Sequence, residues 1–436
     1  MPAIVRRPGR WPGTSSWARN AAEAKQVVPE IAAQHAVRYV VKSKSMPRGI
    51  GEIGLSRKAN SMTLKRLWHV ACLATVAATI ACGGEPPSAP NPPSERSLED
   101  VLGAYRAAYG LPAVAAAIVR SDGIEEAAAV GVRRLGFSDS VKLGDRFHIG
   151  SDTKGMVATV AGSLVEDGTL SWFLSPTDVF PELATTIHPD FRTITLRDLL
   201  MHRAGIQPYT TGAEWDAIPN FTGTPQEQRR AFAVRLLQGT PYGQPGQYQY
   251  SNAGYSIAGA ILEQVTGQSW QLLLRQRLFD PMGMRTAGFG WPALSDPDQP
   301  WGHWVISGSL QPHPPDDEYQ LSGIIAPAGD VHMSIEDFAL FVQLHLRGLR
   351  GFDGMLTSET IRYLHQPVGS YALGWSVYPL LGQVVSSHNG SAGTFYATMA
   401  VNHSQDLAVV IMTNAGGSSA AEASSILLTV LLNEYR

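Results

Sequence analysis

Cysteine is nearly absent from this chain: only Cys72 and Cys82 occur, both near its start. That excludes a disulfide framework. Cys-x-x-Cys, His-Glu-x-x-His and phosphate-loop patterns are missing too, so neither a resident metal nor a nucleotide cofactor is expected. Charge is sparse, at 16% of residues, with a formal net charge of -3. No basic stripe interleaved with aromatics appears, which argues against nucleic acid as a partner. Lysine runs out after Lys154: every basic side chain from Gly155 to Arg436 is Arg or His.

The remainder, 44% hydrophobic over 436 residues, suits one or two domains with a large core. Residues 1–61 are basic and irregular, and read as a disordered extension or an over-extended start. From Met62 a positive segment (Lys65, Arg66), an apolar core from Val70 to Ala81 and small residues after it make an export signal. That core is too short for a bilayer span, which needs about 20 residues. Ile80-Ala81-Cys82-Gly83 resembles a lipoprotein box, although Thr79 stands where Leu or Val is preferred. It predicts a membrane anchor through a lipid on Cys82, with ordinary cleavage after Ala81 as the alternative. Gly83 to Ser97 is a Pro-rich linker, and the folded domain is expected to span 98–436.

The segment around which that domain is organised is Phe147 to Ala161. Gly150 and Ser151 lead into small and apolar residues without proline, and Met156, Val157, Val160, Leu164 and Val165 recur at helical spacing. A buried helix is predicted from near Ser151. Residues three apart share a helix face, so Ser151 and Lys154 would present a hydroxyl and an amine side by side. A hydroxyl needs a neighbouring base to become a nucleophile, and a lysine is one if its pKa falls. Burial and the positive end of the helix dipole both push it down. Arginine cannot lose its proton in a protein, so a single lysine in an arginine-using stretch is what a required amine looks like. Ser-x-x-Lys also arises about once by chance in a chain of this length, as a serine cap followed by a solvated lysine.

Elsewhere, Leu98 to Tyr109 has helical spacing, and Val114–Arg120 and Glu125–Val132 read as two strands around a Ser121-Asp122-Gly123 turn. Helices are predicted at Thr195–His202, Pro225–Leu237, Tyr255–Val265, Trp270–Leu278 and Ser334–Leu346, the last opened by a Ser334/Asp337 capping box. Period-two segments at Tyr371–Tyr378, Gln383–Ser387, Phe395–Asn402 and Leu407–Thr413 read as antiparallel strands, and Ala421–Leu432 as a closing helix. The expected fold is α+β: an antiparallel sheet flanked by helices and built from both chain ends, plus an inserted all-helical region.

Two further segments bear chemistry. In Tyr248 to Tyr255, Tyr250 and Asn252 are two apart, so an extended backbone points both into one cleft, where a phenol can relay a proton and an amide can orient a substrate. The same stretch also suits a Tyr-rich loop with Ser251 or Asn252 capping a helix. In Ser387 to Gly393, Gly390 and Gly393 permit close backbone approach, and a main-chain N–H there could join that of Ser151 in an oxyanion hole. An ordinary hairpin with a surface histidine fits that stretch too.

Taken in order, Ser151-Asp152-Thr153-Lys154, Tyr250-Ser251-Asn252 and His388-Asn389-Gly390 resemble the three motifs of the serine β-lactamase-related family, the class C β-lactamases, D,D-peptidases and related esterases. Flanks at Phe147–Ser151, Leu196–Gly205, Pro245–Tyr255 and Phe279–Met284 resemble it as well, over roughly Leu98 to Arg436. The resemblance implies the penicillin-recognising fold and acylation of Ser151. It implies base and acid duty for Lys154 and Tyr250, and positioning of Lys154 and substrate by Asn252. The N–H groups of Ser151 and Ser391 would bind the oxyanion, with His388 and Gly390 lining the substrate site. The third motif ordinarily begins with lysine, whose charge attracts a substrate carboxylate. His388, mostly neutral at pH 7, shifts the expectation towards uncharged esters or small amides. A β-lactamase, a D-Ala peptidase or a non-catalytic cell-wall-binding lipoprotein are the alternatives.

Overall fold

The computed structural model describes residues 97–317 and 321–436. The export signal, Cys82 and the rest of the linker before Ser97 lie outside the described residues. Helix α1 (Leu98–Tyr109) is opened by Ser97, whose hydroxyl and Asp100 form a reciprocal capping box, and is closed by Gly110 in the left-handed region.

Strands β1 (Ala113–Arg120) and β2 (Gly123–Gly131) follow as a hairpin. They join β8 (Ser376–Leu380), β9 (Gln383–Ser391), β10 (Tyr396–Asn402) and β11 (Leu407–Thr413) in one sheet of order β2-β1-β11-β10-β9-β8. Every pairing is antiparallel, and Ala116 opposite Ile411 joins the two chain ends. Alternation sets the two faces. Val114, Ala116 and Ile118 face α1 and the closing helix α8 (Ser418–Glu434), packing with Leu102, Leu427 and Leu431. Ala113, Ala115, Ala117 and Val119 face the larger core around Met156, Phe338 and Phe341.

That core carries α2 (Thr153–Glu166) and α6 (Ile335–Leu349). Almost all of α2 is buried, which is why its sequence is small and apolar all round. Between them lie the helices of the inserted region: α3 (Leu196–Leu200), α4 (Pro225–Gln238) and α5 (Asn252–Thr266), then α7 (Ser358–Leu364) after α6. Arg229 on α4 makes a buried bidentate pair with Glu263 on α5, at 2.9 and 2.7 Å. A small sheet, β3 (Phe147–His148), β7 (Val331–Met333) and β4 (Gly288–Phe289), anchors the entry to α2, while β5 (His303–Ile306) and β6 (Ser309–Pro312) form a separate hairpin.

Three sequence expectations are corrected. Tyr371–Tyr378 is not one strand, because Gly374 turns into the left-handed region against Gly155 and regular pairing starts only at Ser376. Trp270–Leu278 does not stay α-helical; from Arg275 to Phe279 it widens into a π turn. The Ser334 cap forms, but Asp337 turns its carboxylate to the backbone N–H and hydroxyl of Thr286, at 2.6 and 2.5 Å, instead of completing a box.

Candidate active site

Phe147 and His148 leave the small sheet, Gly150 adopts φ +50, and Gly150–Asp152 make a single tight 3₁₀ turn before α2 begins at Thr153. Ser151 sits on that turn and Lys154 one turn on. The Lys154 Nζ lies 2.9 Å from Ser151 Oγ and donates to the Ala328 carbonyl at 2.5 Å. Lys154 is fully buried. Burial drives its pKa well below the usual lysine value, with Asp152 opposing. A neutral amine here donates to Ala328 and turns its lone pair to the serine proton.

Tyr250 arrives from the segment before α5. Its hydroxyl faces Ser151, and its ring centre is 5.0 Å from Lys154 Nζ. Burial raises the phenol above its usual range, so it is protonated at neutral pH. His202, held at φ +58, sets this segment: its Nδ1 accepts from the Ser251 N–H at 3.1 Å and its ring packs 4.2 Å from Tyr250. Ser251 caps α5 by accepting from Gly254 N–H. Asn252 lines the cleft and donates to the Tyr209 carbonyl at 2.8 Å, while its buried Oδ1 has no partner among the described residues. The lysine's hydrogen bonds run to Ser151 and Ala328 rather than to Asn252, so the contact implied for that amide is corrected.

The third motif comes from β9. A side chain at Gly390 would put its Cβ 1.7 Å from the Ile149 carbonyl oxygen and 2.9 Å from the Ser151 nitrogen; one at Gly150 would stand 2.5 Å from the Ser391 nitrogen. The strand and the serine turn thus touch backbone to backbone, which brings the Ser151 and Ser391 amides together. His388 is 6% exposed and lies beneath this contact, with Nε2 3.0 Å from the Tyr371 hydroxyl and Nδ1 3.3 Å from Asp152 Oδ1. Burial, with nearby Lys154, lowers it to about 3, although a backbone hydrogen bond at Asn389 pulls the other way. His388 is neutral at pH 7 and packs below the site instead of standing on the cleft wall.

The cleft over Ser151 encloses about 360 Å³, part of it open to solvent. Its walls include Trp215, Trp291, Leu321, Ile325 and Ala392, with Asn252 and Ser391 as polar points. No charged side chain lines it among the described residues. Among those residues no cluster of three or more His, Cys, Asp or Glu could hold a metal.

The sequence reading brings together Ser151, Lys154, Tyr250, Asn252, Gly390 and Ser391, and the structure places all six around one point. It passed over Asp152, His202, Tyr371 and the Ala328 carbonyl. Only Asp152 carried a local signal: an acid inside the apolar start of a buried helix.

A family model described as Beta-lactamase matches residues 98–432. Among curated relatives, penicillin-binding protein 4 of Amycolatopsis lactamdurans is 26% identical over 334 residues, which is 72% of this chain and 83% of that one. The putative penicillin-binding protein PbpX of Bacillus subtilis is 27% identical over 270 residues, 62% of each chain. Among solved structures, the octameric penicillin-binding protein homologue from Pyrococcus abyssi superposes with a TM-score of 0.64 at 24% identity, covering 77% of both chains.

Proposed function

This chain belongs to the β-lactamase family of serine hydrolases, and from that premise we propose that it hydrolyses an uncharged carboxylic ester or small amide through an acyl-enzyme on Ser151. The observation that carries the proposal is the buried Lys154 amine 2.9 Å from Ser151 Oγ, its other hydrogen bond directed to a carbonyl. Lys154 takes the serine proton as Oγ attacks the substrate carbonyl. Tyr250, whose hydroxyl faces the same serine, gives its proton to the leaving group and takes one back from Lys154, which restores both. The Ser151 and Ser391 N–H groups hold the oxyanion, and water then releases the acyl group by the reverse relay. Asn252 orients the substrate with its unpartnered Oδ1.

The cleft supports the choice of substrate class. A fixed cation for a substrate carboxylate is missing from its described walls, and His388, in the place of the usual lysine, is neutral and bonded elsewhere. The apolar walls favour an apolar acyl group. A panel of p-nitrophenyl esters, a chromogenic cephalosporin and D-Ala peptides tests this. Turnover of the esters or of neutral amides is expected; preference for the cephalosporin or for D-Ala ends would overturn the substrate class. The same reading includes export and a lipid on Cys82, checked by mass spectrometry of the mature N-terminus.

A further inference from the structure

We infer that Asp152 keeps its proton at neutral pH and acts as a positioning residue, a neutral acid that donates to His388 and leaves Lys154 without a counter-ion. The inference rests on the role of Lys154 as base given above.

The His388 ring lies between two partners, with Nε2 3.0 Å from the Tyr371 hydroxyl and Nδ1 3.3 Å from Asp152 Oδ1. A backbone hydrogen bond at Asn389 also reaches the ring. A neutral imidazole keeps one nitrogen bare, and where that nitrogen is Nδ1 only a protonated Asp152 can bond to it, because two acceptors cannot share a bond.

Burial places that proton on the acid. Asp152 is fully buried, and among the described residues its carboxyl group makes one hydrogen bond, the 3.3 Å contact to His388, and its Oδ2 has no partner. An ionised carboxylate in that position would bury a charged oxygen with no donor, the arrangement proteins avoid most strongly. Desolvation raises Asp152 well above, and lowers His388 below, its usual value, the directions a neutral pair requires. The other titratable groups around it are Lys154 from α2, Tyr250 from the segment before α5 and Tyr396 from β10. An anion at Asp152 would hold a proton on Lys154 and remove the base. The neutral acid keeps the amine free.

Infrared spectra and pH–rate profiles of the full chain and of Asp152→Asn test this. Asparagine is isosteric, always neutral and a donor to His388. At neutral pH the wild type should show the carbonyl band of a protonated, buried carboxyl group, and Asp152→Asn should lose it. The acid limb of kcat/KM for a p-nitrophenyl ester should stay at the same pH in both proteins. An ionised Asp152 predicts no such band, and an acid limb about one unit or more lower in the variant, since removing a nearby anion lowers the lysine pKa. Either result overturns the inference. Should Asp152→Asn fail to fold, the wild-type band decides: its presence at pH 7 supports the inference and its absence overturns it. A wild type that shows the band yet turns over no ester or amide sinks the hydrolase reading and leaves the proton assignment standing.

Discussion

In the proposed reaction, the 2.9 Å from Lys154 to Ser151 makes the serine's reactivity depend on one amine being unprotonated. Ser151→Ala should abolish ester turnover and labelling by a fluorophosphonate together, and labelling that persists would place the nucleophile elsewhere. Tyr250→Phe keeps the ring that packs on His202 and loses only the hydroxyl. It should lower kcat by about 10²–10⁴, the usual span for a general acid or base, with KM nearly unchanged. An equal loss carried by KM would make Tyr250 a binding group. Ser151 and Lys154 were legible in the sequence because their meeting is local, three residues apart on one helical turn. Tyr250 was legible only through its motif, since nothing local says that residue 250 returns to residue 151. Asp152 could not be assigned that way. An acid at a helix start ordinarily complements the dipole, and only packing against β9 shows this one to be sealed from water. Tyr371 was concealed by the turn at Gly374, which drops its hydroxyl onto His388.

Elements meet at this site through missing side chains. Strand β9 can lie on the serine turn because Gly390 has no Cβ to strike the Ile149 carbonyl oxygen. Gly390→Ala should push the strand away and separate the Ser151 and Ser391 amides. A loss of at least tenfold in kcat/KM is expected, with a stability cost of about 1–3 kcal/mol typical of overpacking. Gly144→Ala is the control, because its Cβ would meet nothing within 4 Å. If both variants behaved alike in kinetics and urea unfolding, the backbone contact would be irrelevant to the reaction. The six-stranded sheet was foreseeable from the period-two runs at both chain ends, and α2, α5 and α8 from their periodicity. What escaped were features that a distant partner decides. Thr286 draws Asp337 out of its capping box, and β9 extends past Ser387 to Ser391 because β10 offers partners as far as Tyr396.

Among the described residues, six histidines are held neutral by burial. His345 and His388 are lowered to about 3, His303 and His332 to about 4, and His202 and His365 well below their usual value. His345 and His365 meet edge to face behind α2, with Nδ1 of the first 2.9 Å from Nε2 of the second, and His345 also bonds Thr159 of that helix at 3.1 Å. Each of the six takes up a proton near pH 6.5 when unfolded but resists doing so when folded, so the unfolded state binds more protons as pH drops. The histidine contribution to stability is therefore complete above about pH 6.5 and declines below it, each such histidine adding up to about 1.4 kcal/mol per pH unit to the slope until its folded pKa is reached. Lys154, also lowered, acts in the same sense from its unfolded value of about 10.4 downward, while Asp152 acts in the opposite sense, since its folded pKa is raised, and is outnumbered. The urea midpoint should fall steadily from pH 6.5 to pH 4.5 at constant m-value. His345→Gln, which keeps an uncharged polar group beside Thr159, should flatten that slope by about one histidine's share. A midpoint that does not change across this range, or a variant as acid-sensitive as the wild type, would mean that these imidazoles are protonated inside the folded core after all.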